Sequence, residues 1–169
     1  MRRVSIIGPG GAGKSTLARA LGERTGLPVV HLDARYWRAG WEAPPADAWR
    51  REVEALVAGP AWILDGNYGG TLDLRLAASD TVVFLDFPRT RCLWRVARRA
   101  WRHRGESRPD MAPGCPERLT WEFVRWIWEY PRRRRPGVLR RLAALPPPVR
   151  VVRLRSPRAV AQWVREAAG

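Results

Sequence analysis

Residues 8–16 read Gly8-Pro9-Gly10-Gly11-Ala12-Gly13-Lys14-Ser15-Thr16 and fit the spacing G-x-x-x-x-G-K-[ST]. These residue types at this spacing hold polyphosphate. Glycines let backbone N–H groups turn inward and approach phosphate oxygens closely. An ammonium at Lys14 reaches the β- and γ-phosphates of a nucleoside triphosphate, and the Ser15 hydroxyl serves Mg²⁺. The candidate binding set is Gly8, Gly10, Gly11, Ala12, Gly13, Lys14, Ser15 and Thr16, with ATP and Mg²⁺ as cofactors. The competing reading, a glycine-rich turn that binds nothing, is disfavoured by the flanks. An apolar β-branched run precedes the loop, and Leu17, Ala18 and Leu21 follow at helical spacing.

Composition singles out the same position. Lys and Arg total 31 against 16 Asp and Glu, a net charge of +15, and Lys14 is the sole lysine. The chain otherwise uses arginine wherever a cation serves, so position 14 calls for a compact ammonium rather than a planar guanidinium. The excess charge also allows weak nucleic-acid binding through a basic surface. The run 132–135, four consecutive arginines, is either such a patch, a solvated turn, or part of a phosphate-facing lid.

Carboxylates form the second set. Asp33, Asp65 and Asp86 each follow a leucine at the end of an apolar run. In open α/β sheets, ligands bind beyond the carboxyl ends of the strands. The three are expected to crowd the phosphate site, where such groups hold Mg²⁺ and orient an acceptor hydroxyl; the alternative is that each caps the next helix. Arginines form the third set. Arg91, Arg95, Arg98 and Arg102 share one helix face, opposite Leu93, Val96, Ala97 and Ala100. That face either clamps transferring phosphates or is merely solvated. Residues 104–110 supply the hinge-like Gly105 and the charge expected of a lid.

The elements that must position these groups alternate. Strands are expected at 4–7, 28–32, 61–64, 81–85 and 149–154. Helices are expected after the glycine loop and at 46–58, 72–78, 89–102, 117–130 (stopped by Pro131) and 138–144, with a last one opened by Ser156-Pro157. This order predicts an α/β fold in three layers, a five-stranded parallel sheet with helices on both faces. The 169 residues suit one domain, with a lid insertion at about 104–118. Helix 117–130 is apolar nearly all round and is expected to be covered on both sides, under the lid or in a homodimer interface. No apolar run approaches the roughly 18 residues that span a bilayer, so the expected compartment is the cytoplasm. Cys92 reads as a packing residue and Cys115 as a loop thiol with no evident partner. His31 is either structural or catalytic, and His103 reads as a surface residue. Tyr36, Trp37, Trp41 and Tyr68 either stack on a planar substrate or belong to the core.

Taken together, these stretches resemble the P-loop NTPases of the adenylate and shikimate kinase group. They are most similar to the bacterial DNA topology modulation protein (FlaR-like) family, through His31-Leu32-Asp33 with Trp37 and Trp41, Ile63-Leu64-Asp65-Gly66-Asn67-Tyr68, Thr71-Leu72-Asp73-Leu74-Arg75, Phe84-Leu85-Asp86-Phe87-Pro88, Arg108-Pro109-Asp110-Met111, Gly114-Cys115-Pro116-Glu117 and Trp126-Ile127-Trp128. The resemblance implies strand order 2-3-1-4-5. It implies Asp65, rather than Asp86, as the carboxylate behind Mg²⁺ with Ser15, and Asp33 as the group that orients the acceptor. Arg95 and Arg99 fall where those kinases stack adenine and bind phosphate, Arg108 is a lid candidate, and Arg155-Ser156 lies where adenine rests. The catalytic candidates are thus Lys14, Asp33, Arg95, Arg99 and Arg108. One departure stands out. Nucleoside monophosphate kinases place an acceptor-phosphate arginine soon after the Asp-Gly pair, where this chain reads Asn67-Tyr68-Gly69. A monophosphate acceptor would need Arg35, Arg38 or Arg75 instead. The leading expectation is a kinase acting on an unidentified small molecule. The alternatives are an ATP-dependent nucleic-acid protein affecting DNA topology and a simple NTPase.

Overall fold

The computed structural model describes residues 1–102 and 110–167. Gly105, Arg108, His103 and the first part of the expected lid lie outside the described residues. Five parallel strands, β1 (Arg3–Ile7), β2 (Val29–His31), β3 (Trp62–Asp65), β4 (Thr81–Leu85) and β5 (Arg150–Leu154), form one sheet in the order β2-β3-β1-β4-β5. The expected fold class and strand order both hold.

The period of two along the central strands explains the layers. Val4, Ile6, Ile63, Val83 and Leu85 face one side and pack with Leu17, Ala18 and Leu21 of α1 (Lys14–Thr25) and Trp163 of α8 (Pro157–Glu166). Ile7, Val82 and Phe84 face the other, against Leu72 and Leu76 of α4 (Leu72–Ala78) and Leu142 of α7 (Arg135–Ala143). On that side Trp62 and Leu64 meet Trp49 and Val53 of α3 (Ala46–Val57). Apolar side chains on both faces fully bury the centre of the sheet, as parallel sheets require.

Two elements depart from the sequence reading. The expected second strand stops at His31, and Leu32–Tyr36 turns into a short helix, α2. Leu32 is fully buried beneath Gly66, where an added side chain would meet it at 2.9 Å. Burying that side chain ends the strand early, so Asp33 sits in a first helical turn rather than at a strand end. The helix expected from 117 instead begins as α6 (Trp121–Arg133), where the Thr120 hydroxyl accepts from Phe123 N at 3.2 Å. Pro131 lies inside its last turn instead of stopping it. The chain continues helically because Arg134 N still donates to Tyr130 O at 3.0 Å. Nor is α6 covered all round: Ile127 and Tyr130 are buried, whereas Trp121 and Trp128 are exposed.

Asp86 corrects a third expectation. It does not join the phosphate site but faces away, into Arg135 (2.8 Å) and Arg153. Burial pushes its carboxyl up, yet the hydrogen bonds and charges of Arg135 and Arg153 outweigh this and hold it below the ordinary 3.8. The same pairing removes Arg135 from any phosphate patch. Of its neighbours, Arg133 pairs with Glu129 at 3.2 Å and Arg134 lies over Trp126. A folded-state pKa below the unfolded one adds stability above the unfolded pKa, and that stability is lost as pH falls through the folded value. Asp86→Asn is therefore expected to cost about 2 kcal/mol at neutral pH, with both arginines partly exposed and screened. The gap to wild type should close below about pH 4. Urea unfolding across pH 3–7 checks this, and a gap independent of pH would refute it.

Candidate functional site

The loop after β1 turns by residues that tolerate no side chain. Gly13 caps α1 with φ 97°, a left-handed conformation, and an added Cβ would stand 3.0 Å from the Arg95 guanidinium. Gly11, at φ 76°, lies so close to α5 (Arg89–Arg102) that a Cβ would sit 2.4 Å from Cys92 O. The loop is thus pressed between α1 and α5, with its N–H groups at a helix start suited to anions. Lys14 Nζ bridges back to Gly8 O at 3.1 Å and Pro9 O at 3.2 Å. Burial lowers its pKa, while the charges of Asp33 and Asp65 work the other way.

A cavity of about 970 Å³ opens over this loop. It brings together Gly10, Gly11, Gly13, Lys14, Ser15, Thr16, Asp33, Asp65, Arg95 and Arg99, all expected from sequence. Gly8 and Ala12 act through the backbone. Gly8 N donates to Asn67 Oδ1 at 3.1 Å, and Ala12 O accepts from Arg95 Nη1 at 3.3 Å. Two expected residues stand elsewhere. Ser156 caps α8, its hydroxyl accepting from Ala159 N at 3.1 Å, and Arg155 Nε lies 3.9 Å from Asp86. Neither lines the cavity. Arg108 is outside the described residues.

The arginine face of α5 is rotated from its expected position. Arg95, Arg98, Arg99 and Arg102 line the cavity, whereas Arg91 turns toward the Phe87 ring. The apolar side of α5 is built by Cys92 and Val96, while Ala97 is exposed. Burial lowers the Arg95 pKa, aided by Arg91 and Arg98. Arg99 pairs with the buried Glu117 at 2.9 Å, tying α5 to the segment before α6. Cys92 is a packing residue as expected, its thiol pushed up to about 11 by burial.

Several partners were not legible in sequence. Asp65 is buried and its Oδ1 meets His31 Nδ1 at 2.9 Å; this hydrogen bond raises the His31 pKa above 6.5, against the opposing effect of burial. Tyr68 Oη donates to Asp33 Oδ1 at 2.6 Å, and burial followed by the Asp33 charge pushes the phenol's pKa far up. Tyr68 is thus a fixed donor at neutral pH. Arg75 is fully buried and donates to Gly66 O and Asn67 O, so it does not reach an acceptor. Arg35, 4.0 Å from Glu52, and Arg38 do not line the cavity either. Cys115 is buried, not a bare loop thiol, and its Sγ donates to Arg38 O at 3.0 Å.

The aromatic set divides. Trp37, Trp41 and Tyr68 line the cavity, whereas Tyr36 packs into the core, 5.1 Å from Trp49 and 4.5 Å from Tyr68. Met111, Ala112 and Cys115 pack against Trp37 and Trp41. Among the described residues, no three His, Cys, Asp or Glu converge as a metal cage. Mg²⁺ needs none, because it is held by one or two carboxylates with phosphate oxygens and water. Ser15 and the buried Asp65, whose Oδ1 meets His31, both line the cavity and are the residues that could hold Mg²⁺.

Among solved structures, the chain is similar to a shikimate kinase from Acinetobacter baumannii in complex with shikimate. The identity is 19% and the TM-score 0.59, covering 99% of this chain and 90% of that one. A gluconokinase from Sinorhizobium meliloti 1021 is similar at 17% identity and a TM-score of 0.54, covering 99% and 89%. A sugar kinase from Janibacter sp. HTCC2649 is similar at 18% identity and a TM-score of 0.52, covering 99% and 92%. No protein-family model matches the chain, and no curated protein matches it. At these identities the likeness is one of fold: the chain has the P-loop kinase fold over nearly its whole length.

Proposed function

We propose that this chain is a phosphotransferase that moves the γ-phosphoryl of Mg²⁺–ATP to a hydroxyl of a small molecule. One observation carries the reading. The sole lysine stands on a glycine loop inside a cavity that also gathers the carboxylates of Asp33 and Asp65 and the guanidinium groups of Arg95 and Arg99. Phosphoryl transfer needs little covalent chemistry from the protein; it needs positioning and charge stabilisation. Lys14 and Arg95 compensate charge at the phosphates, with Arg99 beside them. Asp33, held at one oxygen by Tyr68, orients the acceptor hydroxyl and accepts its proton. Asp65, held by His31, supports Mg²⁺ together with Ser15. Bound Mg²⁺ neutralises phosphate charge. The fold-mates named as shikimate kinase, gluconokinase and sugar kinase support a hydroxyl acceptor, and Arg35, Arg38 and Arg75 do not line the cavity. The chain acts as one domain, and Met111, Ala112 and Cys115, in the described part of the expected lid, pack on the cavity-lining Trp37 and Trp41. The motif resemblance to the DNA topology modulation family is compatible with this chemistry.

The test is ATP consumption across sugars, sugar acids, shikimate, nucleosides and nucleoside monophosphates, with ATP binding followed by calorimetry. No ATP binding by the wild type sinks the reading; turnover without any acceptor favours a simple NTPase. Asp65→Asn is expected to lower transfer by roughly a hundredfold or more and to raise the Mg²⁺ concentration needed for half-maximal rate. An unchanged Mg²⁺ dependence would remove Asp65 from that role.

A further inference from the structure

Four of the ten tryptophans are solvent-exposed large apolar side chains: Trp94 is 59% exposed, Trp101 79%, Trp121 74% and Trp128 48%. Their positions are regular. On α5 the sequence Arg91, Trp94, Arg98, Trp101 advances by three, four and three residues, and on α6 Trp121, Arg125, Trp128, Arg132 advances by four, three and four. Each set therefore occupies one helix face, and every arginine in both sets is exposed. The helices pack together, and Arg89 of α5 joins them, with its guanidinium 3.7 Å from the Trp128 ring centroid and 3.3 Å from Trp128 O. Arg98 lies 4.7 Å from the Trp94 ring. Charge is one-sided. α5 carries six arginines and no carboxylate, and α6 carries three arginines with Glu122 and Glu129, of which Glu129 is held between Arg125 and Arg133.

We propose that this outer face of α5 and α6 binds single-stranded nucleic acid, the indoles stacking on bases and the arginines taking backbone phosphates. Exposed rings interleaved with guanidinium groups are what such a strand recognises, since every base has a π-face and every linkage a charge. Seven residues separate the rings of each pair, about 10 Å along a helix, so the two rings meet separate bases. A lipid surface fits less well: an interfacial helix segregates its cations to the polar face, whereas here cations and rings share one stripe. The proposal does not rest on the kinase reading: of the residues in the two stripes only Arg98 also lines the cavity, and Lys14 and the carboxylates play no part.

The experiment is fluorescence anisotropy of a labelled oligo(dT) of about 20 nucleotides with the full chain, titrated at several salt concentrations. Wild type is expected to bind with log K falling linearly in log salt. Trp94→Ala/Trp101→Ala and Trp121→Ala/Trp128→Ala should each lose roughly tenfold or more in affinity with the salt slope unchanged. Arg91→Gln/Arg132→Gln should instead flatten the slope. Lys14→Ala should bind the oligonucleotide like wild type, which separates this outcome from failure of the kinase reading. Tryptophan variants that bind like wild type would overturn the proposal and leave the charge as non-specific attraction. Wild type that binds vesicles of phosphatidylcholine and phosphatidylserine but not the oligonucleotide would overturn it in favour of a membrane. Tryptophan variants that lose only a dimer seen by light scattering would assign the face to a second copy of the chain. Circular dichroism and thermal melts confirm that each variant is folded.

Discussion

Lys14→Ala is expected to lower ATP-dependent phosphoryl transfer by roughly a thousandfold and to weaken ATP binding, while the thermal melt stays within a few degrees of wild type. The size follows from the role. A positive charge aimed at developing negative charge in a water-poor cavity contributes about 3–4 kcal/mol to a transition state, a factor of 10²–10³. Stability should hardly move. The Lys14 hydrogen bonds run to two loop carbonyls, Gly8 O and Pro9 O, and its burial already disfavours the charged form. Removing a costly buried cation offsets the lost hydrogen bonds. Lys14→Arg is the sharper variant. The Arg95 guanidinium already lies where a Cβ on Gly13 would stand 3.0 Å from it, and a second planar fork in that crevice cannot take the place of a compact ammonium. It should be nearly as inactive as alanine. Single-turnover kinetics with saturating ATP measure the effect, and an arginine variant within tenfold of wild type would refute the need for an ammonium.

Legibility in the sequence followed distance along the chain. The phosphate loop, the strands and the Ser156 cap are local patterns, fixed by residues within a few positions of one another, and each appears within a residue or so of its expected place, the second strand giving way to α2 at Leu32. The failures involve long-range partners. Asp86 reads as a strand-end carboxylate like Asp65, and Arg135 and Arg153, 49 and 67 residues on, turn it into a structural anchor. Cys115 has no partner in its own loop because its acceptor is Arg38 O, 77 residues back. His31 and Asp65 are 34 residues apart and become neighbours through the pairing of β2 with β3. The exposed indoles failed for another reason. An apolar side chain in a helix implies burial only as a tendency, and the interleaving of Trp with Arg on one stripe is the signal that marks the exception.

Arg75 is the case in which position in the sequence misleads most, and its replacement carries the largest expected loss of stability. It follows the Asp65-Gly66 pair closely enough to suggest an acceptor-phosphate ligand. Yet it is fully buried, and its two terminal nitrogens reach Gly66 O at 3.0 Å, Asn67 O at 2.5 Å and Tyr68 O at 3.4 Å. Burial lowers its pKa to about 10, so it keeps its charge at neutral pH. The guanidinium holds a strained turn: Tyr68 sits at φ 25°, a conformation worth about 1–3 kcal/mol of strain. Arg75→Met fills much of the space but leaves the Gly66 and Asn67 carbonyls without their donor. At about 1–3 kcal/mol for each orphaned group, the expected loss is about 3–5 kcal/mol, or a fall in Tm of roughly 10 °C. Lysine should not rescue it, because one ammonium cannot reproduce the fork across successive carbonyls. Catalysis should fall as well, in a manner a generally weakened fold would not produce. The same turn supplies Asn67 to Gly8 N and Tyr68 to Asp33, so relaxing it loosens both the phosphate loop and the acceptor carboxylate. At 10 °C, where the variant is folded, KM for ATP and kcat should both worsen. Tyr68→Phe should lower kcat alone, because it removes only the hydrogen bond to Asp33. Loss of stability in Arg75→Met with kinetics equal to wild type at 10 °C would separate the buttress from the site and refute the coupling.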